Sequence, residues 1–365
     1  MRIEDFGLER WLLNPSRFDL ASAGITKLRL GDLTSSIDSD MLMAYGATNG
    51  SALIRKAIAQ RYDANVPAES VLLTTGAAEA NFLVLYRLLE REDEFVTFLP
   101  SYMQCVGIAD SLGAQVRVVP LREELNHKPD IDELRKVVTK RTKVISIVNP
   151  NNPTGSVLSA DDMREICGIA AHVGAWVLCD GALRGLEVEG EVASTPVEFY
   201  EKGIATGSLS KMGLTGIRIG WMIAPKGLVD MCWAMKDYTT LSHSGIGEYL
   251  GGIALQSENM SRFLGRARGV IKEHLGIVSE WVDKYHRLVS WSPSRAGHTT
   301  FLKYNLELDA IELCSRLLAE EGVLLGPGDY FGSPRHLRLR YSCDQNTLVE
   351  GLARFGAFLR RLSSP

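Results

Sequence analysis

A lysine follows directly on a strand-like apolar run. Residues Gly203–Ser208 lead into Ser208-Leu-Ser-Lys211-Met-Gly-Leu-Thr-Gly-Ile-Arg218-Ile-Gly220-Trp. Burial disfavours a charged amine, so lysine is uncommon at such a place, and the same burial lowers its pKa toward that of an imine-forming nucleophile. Two serines and an arginine flank Lys211, and the glycines admit close backbone. That combination suits a phosphate held beside a Schiff base. A strand end carrying a snorkelling lysine also accounts for the segment.

Three further segments occupy comparable places. Asn149-Pro-Asn-Asn152-Pro-Thr-Gly155 follows the apolar run Lys143–Val148. Its prolines make a rigid loop able to aim an asparagine amide, and the plain alternative is a turn built of turn-forming residues. Asp180 closes the run Ala175–Asp180. A carboxylate at the carboxyl end of a parallel strand lies where α/β proteins bind ligands, and an aspartate capping the next helix has the same sequence. Thr74-Thr-Gly76-Ala77-Ala78-Glu79 ends another run and opens a helix whose first amides can face an anion.

Holding such groups together requires a sheet. Seven runs, mostly rich in Val and Ile, alternate with helical stretches such as Glu79–Arg91 and Ala160–His172; they are Ser70–Thr75, Glu94–Leu99, Gln115–Pro120, Lys143–Val148, Ala175–Asp180, Gly203–Ser208 and Ile217–Ile223. Most are apolar throughout, as strands covered on both faces are. The alternation therefore predicts an α/β fold with a mostly parallel sheet and right-handed crossovers. Beyond about Gly245 the pattern becomes α+β: helix over Glu248–Tyr285, strand-like Thr300–Tyr304, helix Ala310–Glu321, strand-like Gly322–Leu325 and Leu337–Ser342, and a closing helix Thr347–Leu362. The expected division is a large domain over residues 41–280 and a small α+β domain made of 1–40 plus 281–365, with a cleft between them.

The 365 residues carry a formal net charge of −4, which leaves no basic excess for binding nucleic acid. Six cysteines are scattered without a CxxC pair or a histidine cluster, so no metal site is expected and free thiols in a reducing cytoplasm are. No apolar segment follows the opening MRIEDFGLERWL, and no run of about 18 apolar residues occurs, so neither a signal peptide nor a membrane span is expected.

In this order and spacing the segments resemble the fold-type I pyridoxal-phosphate (PLP) enzymes, specifically the class I/II aminotransferases. The resemblance spans nearly the whole chain, and the NPNNPTG loop and the SxSKxGLxGxRxGW segment are its most specific parts. It implies that Lys211 forms the imine with PLP and that Asp180 pairs with the pyridine nitrogen, keeping it protonated and the ring a stronger electron sink. By the same resemblance Asn152 donates to the phenolic oxygen and contacts substrate. Gly76, Ala77 and Ala78 offer amides to the phosphate, and Ser208 and Arg218 complete its cup. Tyr102, in PSYMQ, stacks on the ring. Tyr45, in YGATNG, reaches the phosphate of the neighbouring subunit in a homodimer. Arg338, in HLRLRYS, holds the substrate α-carboxylate, and Gly31, in LRLGDL, supplies backbone near the substrate. Arg340 stands two residues on and would share a strand face with Arg338, so the motif alone favours Arg338.

The chain departs from the family pattern at two points. In Asp180-Gly-Ala-Leu183-Arg184, Leu183 stands where the pattern has a tyrosine that donates to the phenolic oxygen. The interval from Lys211 to Arg218 is also one residue shorter than the commoner one. The resemblance implies an aminotransferase of amino acid metabolism or biosynthesis, exchanging an amino group between an amino acid and a 2-oxo acid while Lys211 shuttles the α-proton. Leu183 leaves open a relative that uses PLP as a lyase, cyclase or oxidase. A PLP-sensing transcription regulator would carry a basic domain ahead of the fold, whereas family-like positions begin by about Gly31.

Overall fold

A computed structural model of the chain describes residues 3–22, 24–25, 27–62 and 65–363. The seven expected strands form one sheet: β1 (Val71–Thr74), β2 (Glu94–Leu99), β3 (Gln115–Pro120), β4 (Thr142–Val148), β5 (Trp176–Asp180), β6 (Gly203–Ser208) and β7 (Gly220–Ile223), in the order β1-β7-β6-β5-β4-β2-β3. Strands β2 to β6 pair in parallel, and β7 is antiparallel to both β1 and β6. Every residue of β1, β6 and β7 is buried, as their unbroken apolar runs predict, while the edge strand β3 exposes Arg117 and Val118. The run Ile217–Ile223 shortens to β7 because Thr215–Ile217 forms a 3-10 turn and Arg218 takes a left-handed φ of 54°, which no strand can continue.

Four helices matter most for the site: α1 (Gly7–Trp11), α2 (Leu30–Leu33), α3 (Ala77–Leu88) and α4 (Ser257–Lys284). The apolar face of α3, Ala80, Leu83, Val84 and Leu88, packs with Phe95, Val144, Leu178 and Ile204 of the sheet. Burying each such leucine or valine contributes roughly 1.5–3 kcal/mol, which fixes the start of α3 against the sheet's edge of chemistry.

The C-terminal part forms an antiparallel sheet, β10-β11-β9-β8, from β8 (Val289–Trp291), β9 (Thr299–Tyr304), β10 (Gly326–Pro327) and β11 (His336–Arg340). The N-terminal segment joins it, since Phe18–Asp19 pairs in parallel with Val323–Leu324. The helical stretch predicted over Glu248–Tyr285 divides into Gly245–Ala254 and α4. Helix α4 places Met260 and Phe263 in a cluster with Ile219 and Trp221, and Ala267, Ile271, Val278 and Trp281 in one with Leu313, Leu337 and Phe355. The division expected at residue 280 thus falls within a helix whose two ends belong to different cores. Leu33 of α2 likewise packs with Ile219 and Trp221. All six cysteines are buried and unpaired. Among the described residues no helix is long and apolar enough to cross a membrane and no group of side chains could hold a metal.

Candidate active site

The carboxyl ends of the parallel strands open on a cavity of about 220 Å3. Val148 of β4, Asp180 of β5 and Ser208 of β6 end at its wall, and Arg338 reaches it from β11. The structure brings Lys211, Asp180, Asn152, Gly76, Ala77, Ala78, Tyr102, Ser208, Arg218 and Arg338 together there.

It does not bring Gly31 or Tyr45. LRLGDL turns into the short helix α2, capped through Arg29 and Asp32, and Gly31 is exposed outside the cavity. The backbone that meets Arg338 belongs to Ala21, whose carbonyl accepts from Arg338 Nη2 at 2.7 Å. Tyr45 is 79% exposed in the single chain.

Lys211 lies in the 3-10 turn Ser210–Met212 just beyond β6 and donates no hydrogen bond to a described residue. Burial first, then the charge of Arg338, lowers its pKa to about 8; Arg218 adds to the shift, and Glu9 and Asp180 oppose it. Asp180 is held from two sides: Oδ2 accepts from Asn81 Nδ2 at 2.8 Å and Oδ1 from the Ala182 amide at 2.9 Å. Asn81 is itself oriented by Thr206, which donates to its Oδ1 at 2.9 Å. Burial pushes the Asp180 carboxyl up, against the Ala182 amide, Asn81 and the charge of Lys211. A cationic ring nitrogen beside it would reverse that shift.

The NPNNPTG loop spends two of its three asparagines internally. Asn149 donates to the Ser194 carbonyl and accepts from the Leu158 amide, and Asn151 accepts from the Thr154 hydroxyl. Asn152 is left facing the cavity, its Oδ1 accepting from Arg338 Nη1 at 3.3 Å. The loop is a hydrogen-bonded turn through Asn149 and Asn151, and Asn152 is the asparagine of the three that lines the cavity.

At the opposite end, Gly76 begins α3 with φ 85°, and a Cβ there would stand 2.6 Å from Arg218 Nη2. A Cβ on Gly220 would stand 2.3 Å from the Gly76 carbonyl carbon. The two glycines therefore let Arg218 and β7 close on the free amides of α3. Arg218 donates to the Thr75 and Thr215 carbonyls at 3.3 and 3.2 Å and to Ser210 Oγ at 3.4 Å, so the shorter lysine–arginine interval keeps it at the wall. It has no carboxylate partner among the described residues, and an anion here would meet an arginine and a helix N-terminus together.

Arg338 and Arg340 stand opposite Phe301 and Thr299, on one face of β11 as strand spacing predicts. Their partners separate them. Arg340 pairs with Asp19 at 3.5 Å and donates to the Gly24 carbonyl, whereas Arg338 has no carboxylate partner among the described residues and lies over the Phe331 ring. Arg338 is thus the guanidinium free to take a substrate carboxylate.

Leu183, 3% exposed, lines the cavity and also joins the cluster around Leu313 and Phe355. The lining hydroxyls are those of Tyr102, Ser208, Ser210 and Thr215. Ser208, Ser210 and Thr215 belong to the Arg218 end, and Tyr102 donates to Glu9 Oε1 at 2.9 Å. Sequence reasoning passes over Asn81, Gln104, Thr215 and Glu9. Asn81 alone left a trace, as a polar residue within the apolar face of α3.

A nucleophilic amine without a partner, a carboxylate anchored for a cationic ring nitrogen, and an arginine beside glycine-cleared amides fit PLP. Fold and donor set together define a PLP-dependent enzyme of fold type I. The model of the aminotransferase class I and II family matches residues 26–355, and the chain belongs to that family. It is 30% identical over 361 residues to capreomycidine synthase of Streptomyces vinaceus, covering 96% of this chain and 91% of that protein. A PLP-dependent aminotransferase from Streptococcus suis superposes with a TM-score of 0.93 at 34% identity over 100% of both chains. The PLP-dependent cyclase OrfR does so with a TM-score of 0.89 at 28% identity over 99% of this chain and 98% of that one.

Two outcomes follow from this geometry. Asp180→Ala should lower kcat by about two orders of magnitude or more while the cofactor stays bound, because the anion end does not involve Asp180; a variant with near-normal kcat would refute the role. Leu183→Tyr should lower the protonation midpoint of the Lys211–cofactor linkage by roughly one to two pH units, since a hydrogen bond to a charged acceptor is worth about 1.5–3 kcal/mol and one unit is about 1.36 kcal/mol. The midpoint is read from the visible absorption against pH, and an unchanged value in a folded variant would show that position 183 does not act on the cofactor.

Proposed function

We propose that the chain binds PLP at Lys211, acts at the α-carbon of an amino acid, and directs the reaction to loss of a side-chain substituent and ring closure instead of amino transfer. The observation that carries this reading is Leu183: Lys211, Asp180, Asn152, Arg218 and Arg338 line one cavity, while a buried apolar side chain stands in that lining where the family pattern has a phenol. The near full-length likeness to a capreomycidine synthase and to a cyclase supports it. Amino transfer between an amino acid and a 2-oxo acid is the second reading, favoured by the likeness to the Streptococcus suis aminotransferase.

Bound PLP would supply a sink for the electron pair left at Cα. Asn152 and Asp180 would hold its ring, and Gly76, Ala77, Ala78, Ser208 and Arg218 its phosphate. Arg338 binds the substrate carboxylate and so sets which Cα bond faces Lys211. Lys211, its pKa lowered to about 8, takes the α-proton and can return it. When a β-substituent X leaves with its bonding pair and an internal nucleophile takes its place on the β-carbon, the substrate has lost HX overall and Cα regains its proton from Lys211.

A homodimer belongs to the same proposal. Leu42, Met43 and Tyr45 are 85%, 79% and 79% exposed on one segment, and a second copy covering that segment would carry Tyr45 to the neighbouring phosphate site.

The two readings separate by product. The purified holoenzyme is incubated with standard and β-substituted amino acids, with and without 2-oxoglutarate. The proposal expects a product lighter by HX that forms without 2-oxoglutarate. Stoichiometric release of a 2-oxo acid that depends saturably on 2-oxoglutarate would overturn it in favour of amino transfer.

A further inference from the structure

We infer that Glu9 recognises a cationic group on the substrate side chain, so that the substrate is an amino acid ending in a guanidinium or ammonium group. This rests on the reading of the cavity as a PLP-dependent amino acid site and names the substrate class within it.

Five charged side chains line the cavity: Lys211, Arg218, Arg338, Asp180 and Glu9. Four have counterparts in a cofactor and an α-amino acid. Arg218 meets a phosphate, Asp180 a ring nitrogen, Arg338 an α-carboxylate, and Lys211 the aldehyde that consumes its amine. Glu9 has none. It forms no ion pair with a described residue, and the one hydrogen bond to its carboxylate is the Tyr102 hydroxyl donating to Oε1, which leaves Oε2 uncommitted among those residues.

Glu9 is held in place by its helix. Leu8, fully buried, packs with Phe301 and Phe331, and Trp11 Nε1 donates to the Leu325 carbonyl at 2.7 Å. The Phe6 ring lies 5.1 Å from that of Tyr102. With Leu8 pinned to the core, the next residue stands about 100° further round the helix and lines the cavity. Phe301 pairs across the sheet with Arg338, so one packed unit carries both the carboxylate-binding arginine and this carboxylate. An amino acid held by Arg338 is therefore presented to a fixed carboxylate whose nearest hydroxyl is already spent on orienting it.

Charge decides what suits that position. Covering a carboxylate with a neutral side chain removes water without replacing it, which costs free energy, whereas a guanidinium or ammonium restores the lost interaction. The carboxylate thus favours basic amino acids and rejects their neutral isosteres.

The test uses the holoenzyme and reads dissociation constants from the change in cofactor absorption, independently of turnover. L-arginine is compared with L-citrulline and L-lysine with L-norleucine, in wild type, Glu9→Gln and Glu9→Asp. In at least one pair the wild type should prefer the cationic member by about tenfold or more, as a hydrogen bond to a charged group warrants. Glu9→Gln should abolish that preference by weakening the cation, leave the neutral member within about twofold, and be partly rescued by Glu9→Asp. Equal binding within both pairs, or a preference that survives Glu9→Gln, overturns the assignment while the amino acid site stands. If no amino acid perturbs the cofactor absorption, the underlying reading fails and this one with it.

Discussion

Placing Lys211 at the end of a fully buried strand, with Arg338 and Arg218 near enough for their charges to act on it, removes solvation from the ammonium form and adds repulsion to it. The pKa falls to about 8 from the 10.5 of an ordinary lysine. Roughly a tenth of the amine is then neutral at pH 7, against well under a thousandth for an exposed lysine. The same two arginines that depress it are those proposed to bind phosphate and carboxylate, so in that proposal activation of the amine and recognition of both anions share one cause. Asp180 and Glu9 set the limit, each pulling the pKa back up.

The arrangement spans both parts of the molecule. Asp180 and Ser208 end strands of the large sheet and the NPNNPTG loop follows another, while Arg338 and the helix bearing Glu9 belong with the small sheet and the N-terminal segment. Helix α4 holds the two cores together from within. Leu183 sits at the seam, lining the cavity while packing into the small-sheet core, where the nearest approach to Gly297 is tight: a Cβ on that glycine would lie 3.1 Å from Leu183 Cδ1. An apolar side chain at this position thus serves packing across the seam, at the place where the family pattern has a phenol.

Much of this was legible in the sequence where the relevant physics is local. Unbroken apolar runs identified the buried strands, and strand-end positions identified Lys211, Asp180 and Ser208. What was illegible depends on contacts between distant segments. Strand spacing could not separate Arg338 from Arg340, because the distinction lies in Asp19, 321 residues away. Glu9 and Tyr102 are 93 residues apart, and nothing around either announces the other. Gly31 went astray because a motif match carries no account of the short helix that removes it from the cavity. Strand β8, with three residues, is too short to show a period.

The central claim is that Lys211, and no other lysine, anchors the cofactor. The direct measurement is borohydride reduction of the holoenzyme followed by proteolysis and mass spectrometry of the peptides. The account predicts a single phosphopyridoxyl adduct on the peptide containing Ser208-Leu-Ser-Lys211. A stoichiometric adduct on any other lysine, with Lys211 unmodified, would contradict it.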